Sequence, residues 1–153
     1  RKREKKTKSS PSSPAKILAV YLLDTNILSE VLKKRPNVRL IERLTKNAQA
    51  SQFTSCICVL ELRYGTQRRP DHELFWRRIR AELRSRVTVL DLTENVAVIA
   101  GDLLALLERH GEPVGLPDIL IAATALENRL TVVTANTRHF RRIPNLKIEN
   151  WLV

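Results

Sequence analysis

The chain has 153 residues, 43% of them hydrophobic, with 27 Lys and Arg against 16 Asp and Glu for a formal charge of +11. That length suits one domain with a real core, and no apolar run approaches the ~20 residues that a membrane-spanning helix requires. The N-terminus also lacks the apolar middle of a secretory signal, so a soluble, cytoplasmic protein is expected.

The charge is unevenly placed. The first 20 residues carry seven basic residues and one acidic, which is +6 and leaves +5 for the body. Residues 1–15 are mostly Lys, Arg, Ser and Pro, with too little apolar surface to offset the entropy of ordering them, and are expected to be disordered. Such a segment suits a nucleic-acid arm, a nuclear address or a non-native leader, and we favour the last, ahead of a domain spanning 16–153. The chain contains no methionine, and Val20, just before the first strand that carries an acidic residue, marks where a valine start codon would be read as methionine.

Residues 17–23 form a continuous apolar run ending at Asp24, the pattern of a strand buried on both faces of a parallel sheet. Ile27, Leu28, Val31 and Leu32 then recur at helical spacing. Pro36 ends that helix and precedes another through Leu40, Ile41 and Leu44. A second strand is expected over 53–57, followed by a helix over 59–65 with Glu61 at its start. Cys56 and Cys58 would then sit at a strand end with side chains on opposite faces, unable to bridge, and serve as small buried hydrophobes.

Pro70 and Asp71 open a helix with Leu74, Phe75, Ile79 and Leu83 on one face, and 87–90 is a third strand. Thr93 can cap the long helix whose apolar stripe runs through Val96, Ile99, Ala100, Leu103, Leu104 and Leu107 to Gly111. Pro117 suits the first position of a helix through Ile121, Ala122, Ala125 and Leu126. Residues 131–134 make a fourth strand and 147–149 a fifth. This alternation predicts an α/β domain of three layers, helices on both faces of a mostly parallel sheet, with ligands gathered at the C-terminal ends of the strands.

On that scaffold Asp24, Glu61, Asp118 and Asn136 converge on one sheet edge. Each has a bland explanation as helix cap, first-turn acid, surface residue or turn former. Together they make an oxygen-rich site for a hard divalent cation, magnesium with manganese as a substitute, and a bound ion would relieve their mutual repulsion. His72, His110 and His139 are isolated, and Cys-x-Cys is not a zinc spacing, so no structural zinc is expected. The body arginines, such as Arg63, Arg69, Arg78 and Arg86, read singly as solvated helix faces. Combined with the acidic site they favour a polyanionic substrate.

Four segments carry a resemblance: Leu22-Leu23-Asp24-Thr25-Asn26, Leu60-Glu61-Leu62-Arg63-Tyr64-Gly65, Pro117-Asp118-Ile119-Leu120-Ile121-Ala122-Ala123-Thr124-Ala125, and Thr134-Ala135-Asn136-Thr137-Arg138-His139-Phe140. In this order they resemble the motifs of PIN-domain ribonucleases, above all the VapC toxins of bacterial toxin–antitoxin pairs, including the FitB-like branch. The resemblance implies a PIN-like fold with Asp24, Glu61 and Asp118 as metal ligands, Thr25 and Asn26 holding the first carboxylate, and Thr134 holding the last loop. It implies metal-dependent hydrolysis of RNA, transfer or ribosomal, leaving 5′-phosphate and 3′-hydroxyl ends. It further implies a homodimer and a small VapB-type antitoxin partner, assembled with it as a heterotetramer or larger. Asn136 departs from the pattern, since many relatives have aspartate there; losing that charge should weaken a second ion more than a first. The competing reading is a catalytically weak domain that acts as an RNA-binding or protein-interaction module.

Overall fold

The structure, a computed structural model, describes residues 19–153. The expectations for residues 1–15 and for a strand starting at Ile17 lie outside the described residues. Five strands form one sheet: β1 (Tyr21–Leu23), β2 (Gln52–Ser55), β3 (Thr88–Leu90), β4 (Thr131–Val133) and β5 (Ile148–Glu149). The order is β3-β2-β1-β4-β5, and every pairing is parallel. Among the described residues seven α-helices flank the sheet: α1 (Thr25–Val31), α2 (Val38–Lys46), α3 (Cys56–Thr66), α4 (His72–Arg86), α5 (Glu94–Arg109), α6 (Leu116–Glu127) and α7 (Thr137–Phe140).

β1 is central and its three residues are all buried, which is why its apolar run does not alternate. The chain builds β2 and β3 on one side of β1, then crosses to lay β4 and β5 on the other. The crevice at this reversal, outside the C-terminal ends of β1 and β4, is where an open parallel sheet offers a ligand site. Leu23 pairs with Val133, so the next residues on the two strands, Asp24 and Thr134, emerge side by side there.

Four expectations are corrected. The second strand stops at Ser55 and α3 begins at Cys56, because the Ser55 side chain accepts the Ile57 N–H at 3.1 Å and caps the helix. The cysteines therefore lie on the first turns of a helix; both are free thiols, Cys58 buried and Cys56 only half so. The same shift puts Glu61 in the middle of α3 rather than at its start. Leu74 and Leu104 were expected on apolar faces, yet they are 65% and 39% exposed. The buried stripe of α5 is narrower than the sequence suggests, running through Val96, Ala100, Leu103 and Leu107.

The ends of α5 and α6 show how the chain turns back to the site. Gly111, at φ +66°, closes α5 while Glu112 N–H bonds Leu107 O and Gly111 N–H bonds Glu108 O, a paired C-terminal cap that needs a left-handed residue. α6 closes with the same two bonds, Leu130 N–H to Ala125 O and Arg129 N–H to Leu126 O. There the left-handed residue is Arg129, at φ +55°, which carries the Cβ strain that glycine avoids.

Candidate active site

Asp24 follows β1 directly and is the N-cap of α1, its Oδ1 accepting the Thr25 N–H at 2.8 Å. Its other oxygen, Oδ2, accepts the Thr134 hydroxyl at 2.8 Å in a buried contact, and the Asn26 amide approaches it at 3.4 Å. Asp24 is only 4% exposed. Burial pushes its carboxyl up to about 6, against the lowering effect of the Thr134 and Thr25 hydrogen bonds, and the like charges of Asp118 and Glu61 add to the rise.

Glu61 reaches the same place from α3. Its Oε1 accepts the Thr25 hydroxyl at 2.8 Å, so two donors of one residue, the Thr25 N–H and its side-chain O–H, orient two carboxylates. Asp118 lies in the first turn of α6, where the N-terminal dipole favours an anion. Its Oδ2 is 3.0 Å from His139 Nδ1, and that same nitrogen is 2.9 Å from Asn136 Nδ2. A carboxylate only accepts, so the Nδ1 that bonds Asp118 carries the proton, and the Asn136 amide nitrogen, itself a donor, lies beside it without bonding it.

Asn26 fastens the opposite wall, its Oδ1 accepting the Ala135 N–H at 3.1 Å, while Thr134 Oγ1 accepts the Asn136 N–H at 2.9 Å. Thr134 thus links the β4–α7 loop to Asp24 with one hydroxyl that donates and accepts. Asp24, Glu61, Asp118 and Asn136 line a single cleft of about 560 Å³, together with Thr25, Asn26, Ser29, Glu30, Lys33 and Leu152. Among the described residues neither Asp24 nor Glu61 has a Lys or Arg within salt-bridge distance, and Lys33 is taken by Glu30 at 2.6 Å. Clustered carboxylates without a cationic side chain are the donor set of a hard divalent ion.

Two neighbours escaped the sequence reading. The Cys58 sulfur lies 4.0 Å from Asp24 Oδ1, and Asp24, Cys58 and Glu61 can bring ligand atoms within 4.8 Å of one another. Burial pushes this thiol up to about 11, with the Asp24 charge adding to the effect. A thiol is a soft ligand, and a hard ion prefers the oxygens beside it. His139 is the other, and the signal for it was present: three residues past Asn136 on a helix, it must share that residue's face.

The sequence matches the family described as PIN domain over residues 21–146. It is 36% identical over 134 residues to Ribonuclease VapC2 of Haemophilus influenzae, covering 86% of this chain and 98% of that protein. It is also 36% identical over 133 residues to the tRNA(fMet)-specific endonuclease VapC of Salmonella typhimurium, covering 86% and 97% of the two. The fold is similar to the crystal structure of DNA-bound VapBC from Salmonella typhimurium, with a TM-score of 0.76 at 36% identity over 88% of this chain and 99% of that one.

Proposed function

The chain belongs to the VapC family of PIN-domain ribonucleases, and from that premise we propose a magnesium-dependent endoribonuclease toxin in which Asp24, Glu61 and Asp118 hold the ion. The observation that carries this reading is the cleft that those three carboxylates line, with no Lys or Arg paired to Asp24 or Glu61 among the described residues. Manganese would serve in the same oxygen-rich site. When bound, the ion supplies positive charge against the phosphodiester oxygens and acidity for the attacking water.

The protein side of the reaction follows from how each group is held. Thr134 and the Thr25 N–H fix both Asp24 oxygens, the Thr25 hydroxyl fixes Glu61, and His139 fixes Asp118. The carboxylates therefore keep one arrangement before substrate arrives, and little reorganisation is left for the moment of reaction. Asn136, neutral, offers an amide beside Asp118, where it can meet a phosphate or ribose oxygen without repelling it. In-line attack by water would leave 5′-phosphate and 3′-hydroxyl ends.

The substrate we propose is structured RNA, transfer or ribosomal; the name of the Salmonella relative, a tRNA(fMet)-specific endonuclease, supports the former. Solved relatives with the same fold are toxin–antitoxin complexes, which supports a small VapB-type antitoxin as partner, with the toxin as a homodimer inside a heterotetramer or larger assembly. No helix among the described residues is long and apolar enough to cross a membrane, and we place the protein in the cytoplasm, where its RNA is.

The test is incubation of the full chain, freed of antitoxin, with total cellular RNA under Mg²⁺, Mn²⁺ or EDTA, beside Asp24→Asn. Discrete cuts that EDTA and the substitution both abolish are expected. A well-folded protein that leaves all RNA intact in both metals would overturn the assignment in favour of a binding module.

A further inference from the structure

The acidic cleft does not end at Glu61. It borders a second groove of about 440 Å³ among α1, α3 and α4, and the two share Thr25, Ser29, Lys33 and Glu61 as a common wall. Across that wall the charge reverses. Asp24, Glu30, Glu61 and Asp118 line the first space with Lys33 as its one cation; Lys33, Lys34, Arg69 and Arg78 line the second with Glu61 as its one anion. A further hollow along α4 shares Lys33 and Arg78 with it, and there Arg86 is paired to Glu82 at 3.1 Å.

Some of these cations are already occupied. Lys33 pairs with Glu30, and Arg69 grips Asp71 at 2.9 and 3.1 Å while its guanidinium lies 3.8 Å over the Phe75 ring. Lys34 and Arg78 have no carboxylate within salt-bridge distance among the described residues. Beneath them the groove is apolar, floored by Leu32, Leu62, Phe75 and Ile79. Free cations along an edge and an apolar floor with an aromatic ring are elements that hold single-stranded nucleic acid; Arg69 covers one face of Phe75, so the ring offers a base its other face or edge.

We propose that this groove is the track of the RNA strand adjoining the scissile phosphate, with Lys34 and Arg78 taking backbone phosphates and the Leu32–Phe75–Ile79 floor taking a base. The inference rests on the ribonuclease reading, because it needs a phosphodiester seated at the carboxylates. A strand bound there has to leave the cleft, and this exit is lined with charge of the opposite sign to its own.

The experiment compares wild type, Lys34→Gln/Arg78→Gln, and a charge-matched control, Arg77→Gln/Arg80→Gln, on exposed positions of α4 outside the groove. Binding of fluorescein-labelled polyuridylate is measured by anisotropy in EDTA across a salt series, with polyglutamate as a peptide polyanion. The groove pair should lose about tenfold in RNA affinity, its log–log salt slope should fall by about 1.4, and KM for cleavage in Mg²⁺ should rise with kcat kept. The control should match wild type. Equal behaviour of groove pair and wild type, equal losses in both pairs, or binding of polyglutamate in preference to polyuridylate would each overturn the proposal. Because binding is read without metal, failure of the groove is separable from failure of the nuclease assignment, which would show as an inactive wild type.

Discussion

The Thr134 hydroxyl donates to Asp24 Oδ2 at 2.8 Å, joining residues 110 positions apart at a point where both are buried. The contact exists because β1 and β4 are neighbours in parallel register, with Leu23 opposite Val133. Sheet topology thus delivers the donor to the carboxylate. Thr134→Val removes the donor at nearly constant volume and leaves a buried oxygen short of one bond, which should cost about 1–3 kcal/mol at neutral pH. Cleavage should fall roughly ten- to hundredfold, as is usual when a partner that orients a metal-binding group is lost. Thr134→Ser should restore most of both, as read by chemical denaturation and initial rates.

Thr25 offers the opposite case. Its side chain bonds Glu61 at 2.8 Å in a half-buried setting, so water can replace the lost partner. Thr25→Val should cost under about 1 kcal/mol in stability while lowering cleavage by roughly tenfold or more. A thermal melt and a rate measurement on the same preparation check the split; equal losses in both would assign Thr25 to the fold.

Asp24 gives a pH signature. Its folded-state pKa is raised from 3.8 to about 6, chiefly by burial. The protonated form is therefore favoured on folding, and the stability it contributes is fully present below about pH 4 and lost as pH rises through about 6. In EDTA at pH 7.5, Asp24→Asn should be more stable than wild type by up to about 2 kcal/mol: it loses the buried charge and keeps the cap, while its amide nitrogen cannot accept the Thr134 hydroxyl. The gap should close toward pH 4, and at neutral pH added Mn²⁺ should narrow it by stabilising wild type alone. Denaturation of the pair at the two pH values and with the ion checks all three.

How far the sequence reaches depends on whether a feature is local. Asp24 could be placed because the run before it is apolar without alternation, and Asp118 because Pro117 marks a helix start. Glu61 was placed at a helix start because Cys56 and Ile57 extend the apolar run of the preceding strand; the stop signal was the hydroxyl of Ser55, whose capping role depends on its rotamer. The contacts of Cys58 with Asp24 and of His139 with Asp118 are tertiary, fixed by where α3 and α7 dock; the sequence carries only the three-residue spacing from Asn136 to His139. Leu74 and Leu104 misled for the converse reason: they sit at the edge of a helical stripe, where one residue of rotation decides burial.

Arg129 carries a cost that can be removed. It holds the left-handed position after α6 at φ +55°, where glycine has no Cβ to strain. Arg129→Gly should raise stability by about 0.5–1 kcal/mol after allowing for the added freedom of the unfolded chain, with cleavage unchanged. Urea denaturation at fixed m-value reads it.

The most direct test of the carboxylate site is a Mn²⁺ titration followed by electron paramagnetic resonance on wild type, Asp24→Asn and Asp118→Asn. The account predicts one site in wild type that weakens at least about tenfold in each variant, since each loses a charged oxygen ligand. Equal Mn²⁺ affinity in all three folded proteins would contradict it and remove these carboxylates from the metal centre.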